Sequence, residues 1–338
     1  MNQVRLGRSE LRVSRIAFGE RAEVDPSKSK PLHLVGPIQD LESSRLAVIL
    51  GGGAGLGAFE VGVIDSLARQ GLRPDLIVGT SVGALNAAFW AFHEGPDVGE
   101  RLLRVWLATE RHSLISEQPW RWLRRLLTHQ DHLLGHSGEM SLISRHIGPE
   151  ALIEEAGIPL VVVTTELRSG TRVALREGNV RSALLAAIAI PGLFAPVPLG
   201  GRLLVDGCLV ANCDLETAVE AGMQEAIVVD PFGTDIIEEG ADVMAIMEHA
   251  VMVSLRHQTD LAIRALAGRM RIALLRPTLR WTARPFDFSH TMELFEMGQD
   301  AGRKHLSEGF APRFEDRSAP EVRALIPSAL GTATAGQH

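Results

Sequence analysis

Twice near the start of the chain, an aliphatic run is cut off by glycines and followed at once by helix-forming sequence. The first instance runs Leu46-Ala47-Val48-Ile49-Leu50, then Gly51-Gly52-Gly53-Ala54-Gly55-Leu56-Gly57, then Phe59 through Leu67. The second runs Leu76-Ile77-Val78, then Gly79-Thr80-Ser81-Val82-Gly83, then the Ala-rich stretch 82–93. A short apolar run bounded by glycine reads as a buried strand. Two such strands, each feeding a helix, predict parallel βα units.

The alternation continues downstream. Strands are predicted at Leu160–Thr164, Arg172–Leu175, Arg202–Val205, Ala226–Val229 and Arg271–Leu275. Helices are predicted at Arg181–Ile190, Leu215–Ala221, about 239–268 and about 290–307. The expected class is α/β, a three-layer α/β/α fold with a mostly parallel central sheet. Residues 45–310 are expected to form this domain. Residues 1–44, with Pro26-Ser27-Lys28-Ser29-Lys30-Pro31, read as an N-terminal extension or linker, and 311–338 as a flexible tail.

Composition removes several functions. At 46% hydrophobic residues the chain can build a sizeable core, and its net charge of −7 argues against a nucleic-acid surface. The only cysteines, Cys208 and Cys213, give no disulfide framework and a poor zinc motif, so a reducing, cytoplasmic setting is expected, with no metal. The N-terminus lacks a secretory apolar core, and no run approaches the ~18 apolar residues of a membrane span. The chain has no Tyr, and its lysines are Lys28, Lys30 and Lys304. A Schiff-base lysine, a P-loop lysine and a tyrosine general acid are thereby excluded from the central region. Residues 4–19 resemble the opening hairpin of an aldo-keto reductase, but that family's catalytic Tyr and Lys have no counterpart here.

Residues 101–135 interrupt the alternation with interleaved Arg, Leu and Trp, including Arg104, Trp106, Trp120, Trp122 and Arg125. Such an amphipathic stretch suits either a peripheral membrane face or a helical cap packed on its own core; the cap is the preferred reading.

The chemistry centres on Ser81. In G-x-S-x-G, Gly79 and Gly83 relieve crowding at a strand-to-helix turn, so the serine can stand clear of the sheet as a nucleophile. Gly51, Gly52, Gly53, Ala54 and Gly55 supply backbone N–H groups suited to an oxyanion hole. Asp206, in Leu203-Leu204-Val205-Asp206-Gly207, ends a predicted strand in an apolar setting that would raise its pKa into the range of a general base. A dinucleotide reading of Gly53-Ala54-Gly55-Leu56-Gly57-Ala58 fails because the second strand ends in Gly79-Thr80-Ser81 rather than in an acid. His249, His257, His290 and His305 follow Asp206, so a Ser–Asp–His order is formally available.

These segments together resemble the patatin-like phospholipase family, over about residues 45–306. The likeness rests on the 51–57 loop, Gly62-Val63-Ile64, Gly79–Gly83, Ala189-Ile190-Pro191-Gly192-Leu193-Phe194-Ala195-Pro196-Val197, Asp206-Gly207 and Asn212, in that order. The resemblance implies a serine ester hydrolase acting on lipid acyl esters, with no cofactor. It implies Ser81 as nucleophile, Asp206 as base, the glycine loop as oxyanion hole, Gly79 and Gly83 as the nucleophile elbow, and Gly207 in the dyad turn. The chain departs from the family pattern at Leu56, where Arg is frequent, at Cys208, where a Gly or Ala is usual, and at Asp214, where Pro is usual. A positive φ at Cys208 would be strained. The alternative to catalysis is a lipid-binding or regulatory protein on the same fold.

Overall fold

A computed structural model describes residues 45–110, 146–233 and 240–308. The expectations for 1–44, 111–135 and 311–338 fall outside the described residues.

Within them the chain order is β1 (Leu46–Leu50), α1 (Ala58–Arg69), β2 (Leu76–Thr80), α2 (Val82–Phe92), α3 (Val98–Glu110), β3 (Leu160–Glu166) and β4 (Thr171–Leu175). There follow α4 (Val180–Ala187), β5 (Val197–Leu199), β6 (Arg202–Asp206), α5 (Leu215–Glu220), β7 (Glu225–Val229), α6 (Val243–Leu266), β8 (Arg271–Leu275) and α7 (Thr291–Glu308). The sheet is ordered β5-β6-β3-β2-β1-β7-β8, with β4 also paired to β3. Strands β3, β2, β1, β7 and β8 are mutually parallel, as expected. The flank is antiparallel: β4 and β6 run against β3, and β5 against β6.

The central strands are continuous apolar runs because both sheet faces are covered. Alternate residues feed different cores. Val48, Leu50, Ile77 and Val162 pack with α1, α2, α3, α4 and α7. Ala47, Ile49, Val78 and Val161 pack with α5 and α6. Helices therefore lie on both faces, in the three-layer arrangement.

One pairing positions the site. β3 gives one edge to β4, at Val162 to Glu166. Its other edge is shared end to end. Thr80 of β2 lies beside Val163, and Asp206 of β6 lies beside Thr164. Because β2 runs with β3 and β6 against it, the carboxyl ends of β2 and β6 meet head-on.

Helix boundaries follow local chemistry. Asn179 caps α4 through Ser182 N–H at 3.0 Å, Asp214 caps α5 through Thr217 N–H at 3.1 Å, and Asp242 caps α6 through Ala245 N–H at 2.8 Å. The α4 helix stops at Ala187, short of the expected Ile190. The Ile190 carbonyl instead accepts from Leu193 and Phe194 N–H, turning the chain into β5, a strand with no clear sequence signal. On the described part of the 101–135 stretch, Leu102, Val105 and Trp106 are buried while Arg104 is exposed. Among the described residues, no helix is long and apolar enough to cross a membrane.

Candidate active site

The head-on meeting of β2 and β6 brings Ser81 and Asp206 together. Ser81 Oγ donates to Asp206 Oδ2 at 2.6 Å, across 125 residues of sequence. Ser81 holds φ 54 and ψ −127 between β2 and α2. This backbone is strained for a side-chain-bearing residue, by roughly 1–3 kcal/mol, and persists because its surroundings impose it. Close packing explains the flanking glycines. A Cβ on Gly79 would meet Ala84 Cα at 2.5 Å, and one on Gly83 would run into the carbonyl oxygens of Leu50 and Gly51.

Asp206 is locked on every side. Its N–H donates to the Ala189 carbonyl at 3.0 Å, and its own carbonyl accepts from Thr165 Oγ1 at 2.9 Å. Oδ1 accepts from Cys208 N–H at 2.9 Å, leaving Oδ2 for the serine. The carboxyl therefore fills both roles available to it, turn cap and serine partner. Burial pushes its pKa up to about 6, outweighing the hydrogen bonds from Ser81 and Cys208 that pull it down. A carboxylate in this range is a competent base near neutral pH.

The turn after Asp206 differs from expectation in one respect. Cys208 is not at positive φ; among the described non-glycine residues only Ala54 and Ser81 are. The anticipated strain at Cys208 does not arise. Gly207 is needed for closeness instead, since a Cβ there would meet the Val163 carbonyl oxygen at 2.6 Å. Cys208 Sγ donates to Asn212 Oδ1 at 3.2 Å and lies directly over Gly52, where any Cβ would strike it. Burial raises both thiol pKa values, so Cys208 and Cys213 are held as thiols, the poorly nucleophilic form.

The glycine loop is more committed than its sequence suggests. Gly51 N–H donates to the Val229 carbonyl at 3.0 Å, Gly52 N–H to Asn212 Oδ1 at 3.1 Å, and Gly55 N–H to the Pro285 carbonyl at 2.5 Å. Those three donors are engaged in holding the loop. The N–H groups of Gly53 and Ala54 have no protein acceptor among the described residues. The loop of five expected donors thus narrows to two.

A buried polar chain behind the loop was not signalled by any local motif. Asn212 Nδ2 reaches Asp230 Oδ1 at 3.4 Å, and Asp230 Oδ2 takes two bonds from Arg276, at 2.7 and 3.0 Å. Arg276 also pairs with Asp260 of α6 at 2.6 Å, and Gln258 of α6 accepts from Asn212 N–H at 3.1 Å. The order of these residues in the chain conceals the arrangement; only β7, β8 and α6 packing together assembles it. On the other side of the loop, buried Glu60 accepts from Asn86 Nδ2 at 2.7 Å, and Trp106 Nε1 donates to Asn86 Oδ1 at 3.0 Å. Burial raises the Glu60 carboxyl well above its usual range. Among the described residues no Ser–His contact forms at this centre: Ser81 Oγ bonds directly to the carboxylate, and His290 stacks on Trp281 with ring centroids 4.3 Å apart.

Comparisons with known proteins identify the family of the chain. An uncharacterized NTE family protein of Mycobacterium tuberculosis is 30% identical over 199 residues, covering 56% of this chain and 52% of that protein. The neuropathy target esterase sws of Drosophila melanogaster is 23% identical over 209 residues, covering 60% of this chain and 14% of that protein. The chain thus spans about half the length, or much less, of these curated relatives. Among solved structures, VipD from Legionella pneumophila superposes with a TM-score of 0.41 at 14% identity, covering 78% of this chain and 67% of that one. The family model described as patatin-like phospholipase matches residues 48–219, from β1 through the glycine loop, Ser81 and Asp206 into α5. With half of its length under that match, the chain belongs to the patatin-like phospholipase family.

Proposed function

We propose that this chain is a serine-dependent lipid acyl hydrolase that cleaves carboxylic esters through Ser81 and Asp206. The observation that carries the reading is the 2.6 Å bond from a backbone-strained, buried serine to a carboxylate whose pKa is raised to about 6. Asp206 accepts the Ser81 proton as Oγ attacks the ester carbonyl carbon. The N–H groups of Gly53 and Ala54 stabilise the resulting oxyanion, a contribution of a few kcal/mol per donor in such sites. Collapse of the tetrahedral intermediate breaks the ester C–O bond. Asp206 returns its proton to the departing alcohol, leaving an acyl-serine. Water then attacks the acyl carbon, gives its proton to Asp206, and displaces Ser81, which recovers that proton; a free fatty acid is released. No metal or organic cofactor takes part in these steps. The phospholipase and esterase names borne by the family and its relatives support lipid esters as the substrate class.

The test combines labelling and turnover. A fluorophosphonate probe is expected to label Ser81, and p-nitrophenyl butyrate to be hydrolysed. Ser81→Ala and Asp206→Asn are each expected to lower kcat roughly 10³-fold or more. Turnover that survives in both variants, or a probe that leaves Ser81 unmodified, would overturn the proposal and leave a lipid-binding role.

A further inference from the structure

The first three turns of α6 face outward with an apolar surface. Val243 is 74% exposed, Met244 63%, Met247 59% and Val251 57%, and Ile246 and Val253 are exposed beside them. At 100° per residue these six fall within one half of the helix circumference, opposite Ala245 and Met252, which face the protein. Glu248 and His249 sit at the margins of this arc, so no charge interrupts it. A contiguous arc of this kind is unusual on a surface that meets only water.

Its position ties it to the proposed site. Met252 and Val253 line a cavity with Leu56, Pro231, Leu279 and Ala283. Pro231 packs against Gly53, where an added Cβ would meet Pro231 Cβ at 2.7 Å. Exposed Leu209 follows the dyad turn, and its carbonyl accepts from Gln258 Nε2 of α6 at 3.3 Å. The α6 helix therefore borders the glycine loop through Met252 and Val253 and, further along, the Asp206 turn through Gln258. Two exposed arginines, Arg280 and Arg284, flank the cavity wall formed by Leu279 and Ala283. Burial raises the Glu248 carboxyl, and the positive charge of Arg284 opposes that rise.

We propose that the outer face of α6 docks on a phospholipid bilayer, with the Val and Met side chains in the headgroup–acyl boundary and Arg280 and Arg284 at the lipid phosphates. The pattern is that of an interfacial helix, an apolar face with cations at the phosphate level. Flexible methionines adapt to a fluid surface. A second copy of the chain seated on this face would cover the approach to the glycine loop, whereas a bilayer there delivers acyl esters to it. The proposal rests on the lipid-ester reading of the site.

The experiment uses the full chain carrying Ser81→Ala, so that turnover leaves the vesicles intact. Co-sedimentation with phosphatidylcholine–phosphatidylglycerol vesicles is expected to show binding. Adding Met247→Glu and Val251→Glu is expected to lower the bound fraction roughly tenfold or more, and Arg280→Glu with Arg284→Glu to lower it by a smaller factor. The same substitutions in the Ser81 background are expected to leave p-nitrophenyl butyrate turnover and the circular dichroism spectrum unchanged, which separates lost docking from lost folding. Failure of the Ser81→Ala chain to bind, or equal binding by the glutamate variants, would overturn the docking surface. So would a dimer in light scattering that the glutamates dissociate, since that assigns the face to a second copy. Vesicle binding without ester turnover in the Ser81 chain would uphold the surface and sink the hydrolase reading instead.

Discussion

At Asp206, buried with a pKa pushed up to about 6, the proposed catalysis and stability pull in opposite directions. In the proposed mechanism the base form is the carboxylate, so kcat/KM for a soluble ester is expected to fall as pH drops through about 6. Stability runs the other way. An acid whose folded pKa exceeds its unfolded value of ~3.9 favours the fold when protonated, and that contribution disappears as pH rises through the folded pKa. Asp206→Asn, neutral at every pH, is therefore expected to melt higher than the unaltered chain at pH 8. The gap should close toward pH 4; thermal melts across this range would show it, and an equal or lower Tm at pH 8 would refute the argument. Gly52 gives a second prediction at this scale. A methyl group there strikes Cys208 Sγ and comes within 3.0 Å of Ser81 Cβ. Gly52→Ala is expected to lower kcat roughly tenfold or more, and adding Cys208→Gly to restore part of the loss, a coupling that a double-mutant cycle measures directly.

Among the elements, two contacts bear loads that can be tested separately from the chemistry. α1 and α7 cross so closely that a Cβ on Gly62 would enter the Phe295 carbonyl, and one on Gly298 the Phe59 carbonyl. Gly62→Ala forces two backbones apart and is expected to cost about 1–3 kcal/mol in urea unfolding, as overpacking does. The second contact joins β7, β8 and α6 through Asp230 and Arg276. Asp230 is fully buried, and removing its guanidinium partner leaves an uncompensated charge. Arg276→Met is expected to destabilise the fold by about 3–5 kcal/mol. If it does not, Asp230 is not held as the carboxylate of a buried pair. The sequence pattern was sufficient for the strands and helices that flank Ser81 and Asp206, because the apolar runs Leu46–Leu50, Leu76–Val78 and Ala226–Val229 are each ended by glycine or by acid. It was not sufficient for β5, three residues whose strand character comes only from pairing with β6. Nor did it mark Asp230, Arg276 and Gln258, which are ordinary polar residues until the sheet and α6 place them behind Asn212.

For the molecule as a whole, the two large apolar clusters cover both faces of one sheet from β3 to β8, and a smaller one built on Val173, Ala186 and Leu204 continues it to β5, which argues for a single cooperative unit. We propose that residues 45–310 fold alone; expressed as that fragment they are expected to unfold in one transition and to retain soluble-ester turnover. Two separated transitions, or loss of turnover with the fold intact, would show that the flanking segments complete the domain. The sequence by itself determined the βα grammar, the placing of Ser81 and Asp206 at strand ends, and the family, because glycine spacing and apolar runs are local properties of the chain. Tertiary structure decided the rest. It engaged the Gly51, Gly52 and Gly55 N–H groups with Val229, Asn212 and Pro285, leaving those of Gly53 and Ala54 as the proposed oxyanion donors. It brought two residues 125 apart to 2.6 Å, because β2 and β6 end head-on along one edge of β3. It also set the pKa of Asp206, since burial is a property of everything packed around a carboxyl and not of the residues beside it in the chain.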